Sequence, residues 1–247
     1  MGKIIAISSG KGGVGKTTVA ANLSAALAQE GKRVLVVDTD IGLRNLDIVF
    51  GVQSVIVYDV TDVYENKIAL LDACYHFPAY GDLYFLPASQ AIDKEDIEEE
   101  KFYDMIKAAA NQFDFVVLDC PAGIETGLKN AIRTADVAVT VVTPDMASLR
   151  DADRMLQVAE ACNVKEIYVV INKFNRKLVR KKLMPNVDEI LNRLGAPLLG
   201  IWCFEDRMVQ FQNRGELIVT DSRRKCVKEI KNSAKRLMGE QVPIKIR

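Results

Sequence analysis

The chain has 247 residues, 49% of them hydrophobic, enough to bury one large core, and an α/β fold of this length is commonly a single domain. Its 33 basic and 33 acidic side chains cancel, so overall charge gives no argument for nucleic acid or membrane binding, and such a claim rests on local patches. No apolar run approaches bilayer-spanning length, and the five scattered cysteines, with no CxxC pair, suggest reduced thiols in a cytosol and neither a disulfide framework nor a metal site.

Residues Lys3 to Glu30 predict a buried strand, a glycine-rich turn and a helix. Ile4-Ile5-Ala6-Ile7 is apolar throughout, and the alanine-rich stretch from Thr17 to Glu30 has helical patterning that ends at Gly31. Between them Gly10-Lys11-Gly12-Gly13-Val14-Gly15-Lys16-Thr17, followed by Thr18, satisfies the phosphate-loop pattern G-x-x-x-x-G-K-[ST]. Its glycines let successive backbone N–H groups converge on one anion, and the helix N-terminus adds about half a positive charge. Lys16 is expected at the β- and γ-phosphates, and the Thr17 hydroxyl on Mg²⁺. The loop alone specifies a nucleoside triphosphatase of no particular kind.

Val34-Leu35-Val36-Val37 predicts a second strand, ending in Asp38-Thr39-Asp40. A run apolar at every position belongs to a sheet covered on both faces, so these carboxylates share a rim with the phosphate loop. Tyr58 to Leu71 predicts a helix and loop, and His76, without a ligand-like neighbour, is structural. Asp82 to Leu86 is a strand, and the acidic run Asp93 to Lys101 is a solvated helix start. Phe113 to Asp119 is a strand ending in a carboxylate, the form of a Walker B motif. Mg²⁺ keeps several waters, so Asp119 is expected to reach the ion through one. Strands follow at Val137 to Thr143, Ile167 to Ile171 and Leu198 to Cys203, with a helix from Ser148 to Arg154. Lys173 to Lys182 is a basic, exposed loop. Val227 to Gly239 is an amphipathic helix with Ile230, Ala234, Leu237 and Met238 on one face. The expected fold is α/β, a doubly wound, mostly parallel sheet with helices on both faces, in one domain over 1–247.

The second lysine of the loop, Lys11, makes KGGVGKTT resemble the deviant Walker A motif of the MinD/ParA/nitrogenase-iron-protein class of dimerising ATPases. DTDIGLRNLD, LPASQ, DCPAGIE and SLRDADR narrow the resemblance to the MinD family of septum site-determining ATPases, over nearly the whole chain. That resemblance implies ATP and Mg²⁺ as ligands and an ATP-dependent homodimer. Lys11 crosses to the partner's nucleotide and joins Lys16 and Asp40 as a catalytic group, with Asp40 positioning or deprotonating the attacking water. Asp38 orders the switch segment and, with Thr17 and Asp119, belongs to the metal side. Gly123 offers its N–H to the γ-phosphate. Asn172 lies at the adenine, near Glu205 and Asp206, although Phe204 replaces the family's more usual proline. Asn45 lies near the dimer face, and Asp151 and Asp153 sit on the helix that receives partners, a division inhibitor and a topological regulator.

The resemblance also implies a cytoplasmic protein, peripheral at the inner face of the cell membrane. The family's polar linker and basic membrane helix are not matched by the short tail, residues 240–247. Ile244 and Ile246 supply at most about 3 to 6 kcal/mol if buried, too little to anchor a monomer stably. Two other readings share the loop. One is a ParA-like DNA-partitioning ATPase using Lys173 to Lys182 or Arg223-Arg224-Lys225, although no nucleic acid is expected. The other is an iron–sulfur carrier, which needs paired cysteines at a dimer interface; the scattered cysteines argue against it.

Overall fold

The computed structural model describes residues 1–90, 98–123 and 126–245. The strands among them are β1 (Lys3–Ser8), β2 (Val34–Asp38), β3 (Tyr75–His76), β4 (Leu83–Leu86), β5 (Phe115–Asp119), β6 (Val137–Val142), β7 (Glu166–Phe174) and β8 (Leu198–Cys203). They form one sheet in the order β3-β4-β2-β5-β1-β6-β7-β8, parallel throughout except for the antiparallel pair β3 and β4. The parallel strands are buried on both faces because their side chains alternate between two apolar cores. Ile5 and Ile7 of β1 point into one and Ile4 and Ala6 into the other; Val34 and Val36 oppose Leu35 and Val37 in the same way.

Helices cover both faces. From the amino end these are α1 (Lys16–Gln29), α2 (Leu46–Phe50), α3 (Val60–Tyr64), α4 (Leu70–Ala73), α5 (Glu99–Ala109) and α6 (Thr126–Thr134). The second half supplies α7 (Met146–Ala161), α8 (Arg176–Arg180), α9 (Val187–Leu194), α10 (Arg207–Gln212) and α11 (Lys225–Leu237). Helices α1 and α11 pack together on one face, while α3, α5, α6 and part of α7 close the other. A third cluster joins α7 and α9 to β6, β7 and β8. This is the doubly wound, mostly parallel arrangement expected from the alternating pattern.

The departures are local. The basic stretch expected as a loop at Lys173 to Lys182 instead begins inside β7 and continues as α8, capped by the Asn175 side chain, which accepts from Lys177 N and Leu178 N. A pattern search misses it because a one-turn helix has no period to detect. Strand β3 was also not anticipated; His76 within it stacks on Tyr84, with centroids 4.5 Å apart, and sits 3.3 Å from Asp82. Most of the acidic run from Asp93, Ile124 and Glu125 of DCPAGIE, and the tail residues Ile246 and Arg247 lie outside the described residues.

Candidate functional site

Strand β1 is flanked by β5 on one side and β6 on the other, the point at which the winding reverses, and the phosphate loop leaves its carboxyl end there. The turn closes on Gly15, which caps α1 in the left-handed region at φ 92° with no side-chain hydrogen bond to the first turn. The first N–H groups of α1 therefore remain for an anion. A Cβ added at Gly12 or Gly13 would meet nothing within 4 Å, so the rim of the loop is open. Gly10 differs, because a Cβ there would strike the backbone of Asp151; its missing side chain lets α7 lie against the loop.

Registry places Asp38 and Asp119 opposite each other on the carboxyl rim, next to Ile7. Lys16 Nζ donates to Asp119 Oδ1 at 2.6 Å, with the two side chains 9% and 1% exposed. Burial opposes the Lys16 charge, but Asp119 outweighs it and holds the ammonium above its ordinary range. For Asp119, burial pushes the pKa up while Lys16, and more weakly the Thr17 hydroxyl, pull against it. Burial, then the neighbouring Asp119 charge, push Asp38 up to about 6. Asp38 Oδ1 accepts from Asp40 N at 3.0 Å, and Oδ2 accepts from Asn45 N at 2.9 Å and Leu46 N at 3.0 Å. Asp38 thus spends its carboxylate on folding the segment from Asp40 to Leu46 around the site. Asp40 is itself buried on this rim, and Gly42 N donates to Ser89 O in LPASQ.

Lys11 is half-exposed and pairs within its own chain, Nζ to Asp145 Oδ1 at 3.5 Å. Burial works against the Asp145 charge, but the Thr143 hydroxyl, Ser148 N–H and Lys11 outweigh it and hold the carboxyl below its usual range. The same carboxylate caps α7 through Ser148 N.

The far side of the loop rests on β7. Its register slips against β8 between Ile171 and Phe174, and Lys173 takes a left-handed φ of 55°. Successive side chains therefore both reach the loop: Asn172 Nδ2 donates to Val14 O at 2.8 Å and Lys173 Nζ to Gly13 O at 2.7 Å. Asn172, expected at the adenine, stands here as a brace with its amide nitrogen on the loop, leaving Oδ1 as the acceptor for other partners. Asp145 and Gln212 escaped the sequence reading, and Lys173 entered it only as the start of a basic loop. Their only signal is adjacency that the fold creates.

Gln212 Nε2 donates to the Thr18 hydroxyl at 2.6 Å, tying α10 to α1. An open cleft of about 680 Å³ runs between Thr17, Thr18, Asn45 and Ile48 on one side and Gln212 to Gly215 on the other. Glu205 is part-buried near Arg224, at 3.9 Å, and Asp206 begins α10 without capping it. Gly123 N donates to Ser9 O at 3.4 Å, beside the loop. Asp151 is part-buried on α7, 3.5 Å from Arg150; Asp153 is exposed and accepts from Gln157 at 3.1 Å.

The residues fit a triphosphate and its cation. The uncapped α1 terminus, the open glycines and Lys16 suit the phosphates. Asp119 Oδ2 is buried without a hydrogen-bond partner and suits a hydrated ion shared with Thr17. Among the described residues, no cluster of His, Cys, Asp and Glu forms an all-protein metal site.

A sequence model described as an AAA domain matches residues 2–178. The septum site-determining protein MinD of Bacillus subtilis is 42% identical over 248 residues, covering 100% of this chain and 92% of its own length. The chain belongs to the MinD family. Among solved structures, the MinC:MinD cell division complex of Aquifex aeolicus superposes with a TM-score of 0.90 at 39% identity, covering 98% of both chains. MinD of Pyrococcus horikoshii, complexed with Mg-ADP, gives 0.83 at 28% identity and covers 98% of this chain and 100% of its own. These relationships support a P-loop ATPase of cell division and favour neither the DNA-partitioning nor the iron–sulfur reading.

Proposed function

We propose that this chain is an ATP-driven dimerising switch that places the division septum. In this reading ATP lies along the loop with its phosphates on the α1 N-terminus and Lys16. Mg²⁺ held by Thr17 and, through water, Asp119 supplies charge neutralisation at the phosphate oxygens. Asp38 holds the switch segment, Asp40 directs water at the γ-phosphate, and the Gly123 N–H leaves Ser9 O for the transferred group. Asn172, Glu205 and Asp206 form the adenine end of the site.

The observation that carries the proposal is Lys11. It sits on the nucleotide-binding loop, yet its ammonium turns away to Asp145 and is half-exposed. Facing a second copy, it exchanges that weak, solvent-screened pair for phosphate charge across the interface, where a cation is worth about 10³ to 10⁵ in rate in related NTPases. Exposed Leu43, Ile48 and Met146, beside the switch segment and at the start of α7, are apolar surface for such a contact. The dimer then recruits a MinC-like division inhibitor and a topological regulator on α7 through Asp151 and Asp153, in the cytoplasm and at the inner membrane surface. Hydrolysis returns it to monomers.

Size-exclusion chromatography with ATP, beside phosphate release, tests this. Asp40→Ala is expected to dimerise without turnover, and Lys11→Ala to bind ATP without dimerising. An elution shift with ATP that Lys11→Ala leaves intact refutes the cross-dimer role, and normal turnover by Asp40→Ala refutes the water-directing role.

A further inference from the structure

Thr18 stands in the first turn of α1 and lines the open cleft beside Thr17, Asn45 and Gln212. A helical threonine ordinarily turns its hydroxyl proton back onto the carbonyl four or three positions earlier. Here those are Val14 O, which accepts from Asn172 Nδ2 at 2.8 Å, and Gly15 O, which accepts from Val19 N at 2.9 Å. Among the described residues the Thr18 hydroxyl makes neither of these bonds and instead accepts from Gln212 Nε2 at 2.6 Å. A hydroxyl has one proton and two lone pairs. With one lone pair given to the amide, the proton is left to donate, and among the described residues nothing takes it.

The bond is not needed to hold α10 in place, because the chain after it is tied down independently. Val219 N donates to Asn22 Oδ1 at 3.2 Å and Leu217 N to the Tyr80 hydroxyl at 3.1 Å. Gly215 lies so close to Gly51, after α2, that a Cβ on Gly51 would stand 2.8 Å from the Gly215 Cα. Asn22 in turn donates through Nδ2 to Thr18 O at 3.0 Å. The backbone of Thr18 and the segment from Gly215 to Val219 are thus already fixed to each other, and what Gln212 adds is the polarity of one hydroxyl. An anion is sensitive to that polarity: a hydroxyl that shows it a proton attracts it, and one that shows it a lone pair repels it.

We propose that Gln212 is a positioning residue for the nucleotide. Its amide takes up a lone pair of Thr18 Oγ1 and so commits that hydroxyl to donating to a phosphate oxygen at the α1 terminus. Gln212 acts through Thr18 and not by a contact of its own. The inference rests on the reading of the loop as the ATP site and deepens it: α10, which begins at the adenine end, takes part in gripping the phosphates.

Titration of the full chain with a fluorescent ATP analogue, beside thermal melts without nucleotide, separates orientation from mere bracing. Gln212→Ala is expected to weaken binding about three- to tenfold, the range for one hydrogen bond, with an unchanged melt. Gln212→Glu keeps a hydrogen bond to Thr18 but reverses it, since a carboxylate only accepts. It is expected to bind at least about tenfold more weakly than Gln212→Ala. Thr18→Ser, which keeps the hydroxyl, is expected to bind as the parent does, and Thr18→Val about ten- to a hundredfold more weakly. On Thr18→Val, Gln212→Ala is expected to have no further effect, and the Gln212→Glu penalty to shrink to the part its charge exerts through space. A parent chain that does not bind the analogue refutes the ATP reading and this inference together. With a parent that binds, three results overturn this inference alone: Gln212→Ala binding equally well, Gln212→Glu binding no more weakly than Gln212→Ala, or a Gln212→Glu penalty as large on Thr18→Val as on the parent.

Discussion

Replacing Lys16 by methionine separates what this side chain does for the fold from what it does for phosphate. Its ammonium stands 2.6 Å from Asp119 Oδ1, with both side chains almost wholly buried. At an effective dielectric of about 20, unit charges at that separation attract by about 6 kcal/mol; most of this offsets the cost of taking both groups out of water. Methionine keeps the packing of the stem and removes the charge, leaving Asp119 buried beside Asp38 without its cation. Removing one member of a buried pair costs about 3 to 5 kcal/mol. Burial already pushes Asp119 up, and losing Lys16 pushes it further. The folded variant then binds a proton that the unfolded chain releases, so its stability falls as pH rises above the unfolded carboxylate range. The deficit against the parent is expected to be larger at about pH 8 than at about pH 6.

The double variant Lys16→Met/Asp119→Leu removes both charges together and relieves Asp38 of a like neighbour. Its stability is expected within about 1 kcal/mol of the parent, while nucleotide binding stays lost in both variants. Urea unfolding without nucleotide at the two pH values, beside titration with a fluorescent ATP analogue, measures each term. A Lys16→Met cost below about 0.5 kcal/mol, the value of an exposed lysine, refutes the buried-pair account. So does a double variant as unstable as the sum of its singles.

Lys173→Met removes the 2.7 Å bond to Gly13 O from an exposed lysine. It is expected to lower nucleotide affinity about five- to tenfold, the worth of one ordinary hydrogen bond, with little change in the urea midpoint. A shifted midpoint with unchanged affinity counts against a loop-positioning role. Gly10→Ala sets a methyl 2.5 Å from the Asp151 carbonyl carbon. Parting α7 from the loop is expected to cost about 1 to 3 kcal/mol and to weaken nucleotide binding as well, read in the same two assays.

Much of this protein is legible in its sequence because the relevant physics is local. All-apolar runs in β1, β2 and β5 require a sheet covered on both faces, and a glycine-rich turn between strand and helix makes an anion site wherever it is placed. Asp38 and Asp119 could be put on one rim from strand direction alone. Other features depend on distant segments meeting. Asp145 reaches Lys11 from the loop after β6, and Gln212 reaches Thr18 across 194 positions of chain. Lys173 turns onto Gly13 only because β7 slips register against β8, and Gly10 owes its small size to the backbone of α7. The sequence by itself determined the strand–glycine turn–helix unit and the carboxylates at the strand ends, since propensity and patterning act between near neighbours. Tertiary structure alone decided how those groups are braced, paired and kept dry, because desolvation and close approach depend on what the rest of the chain packs against them.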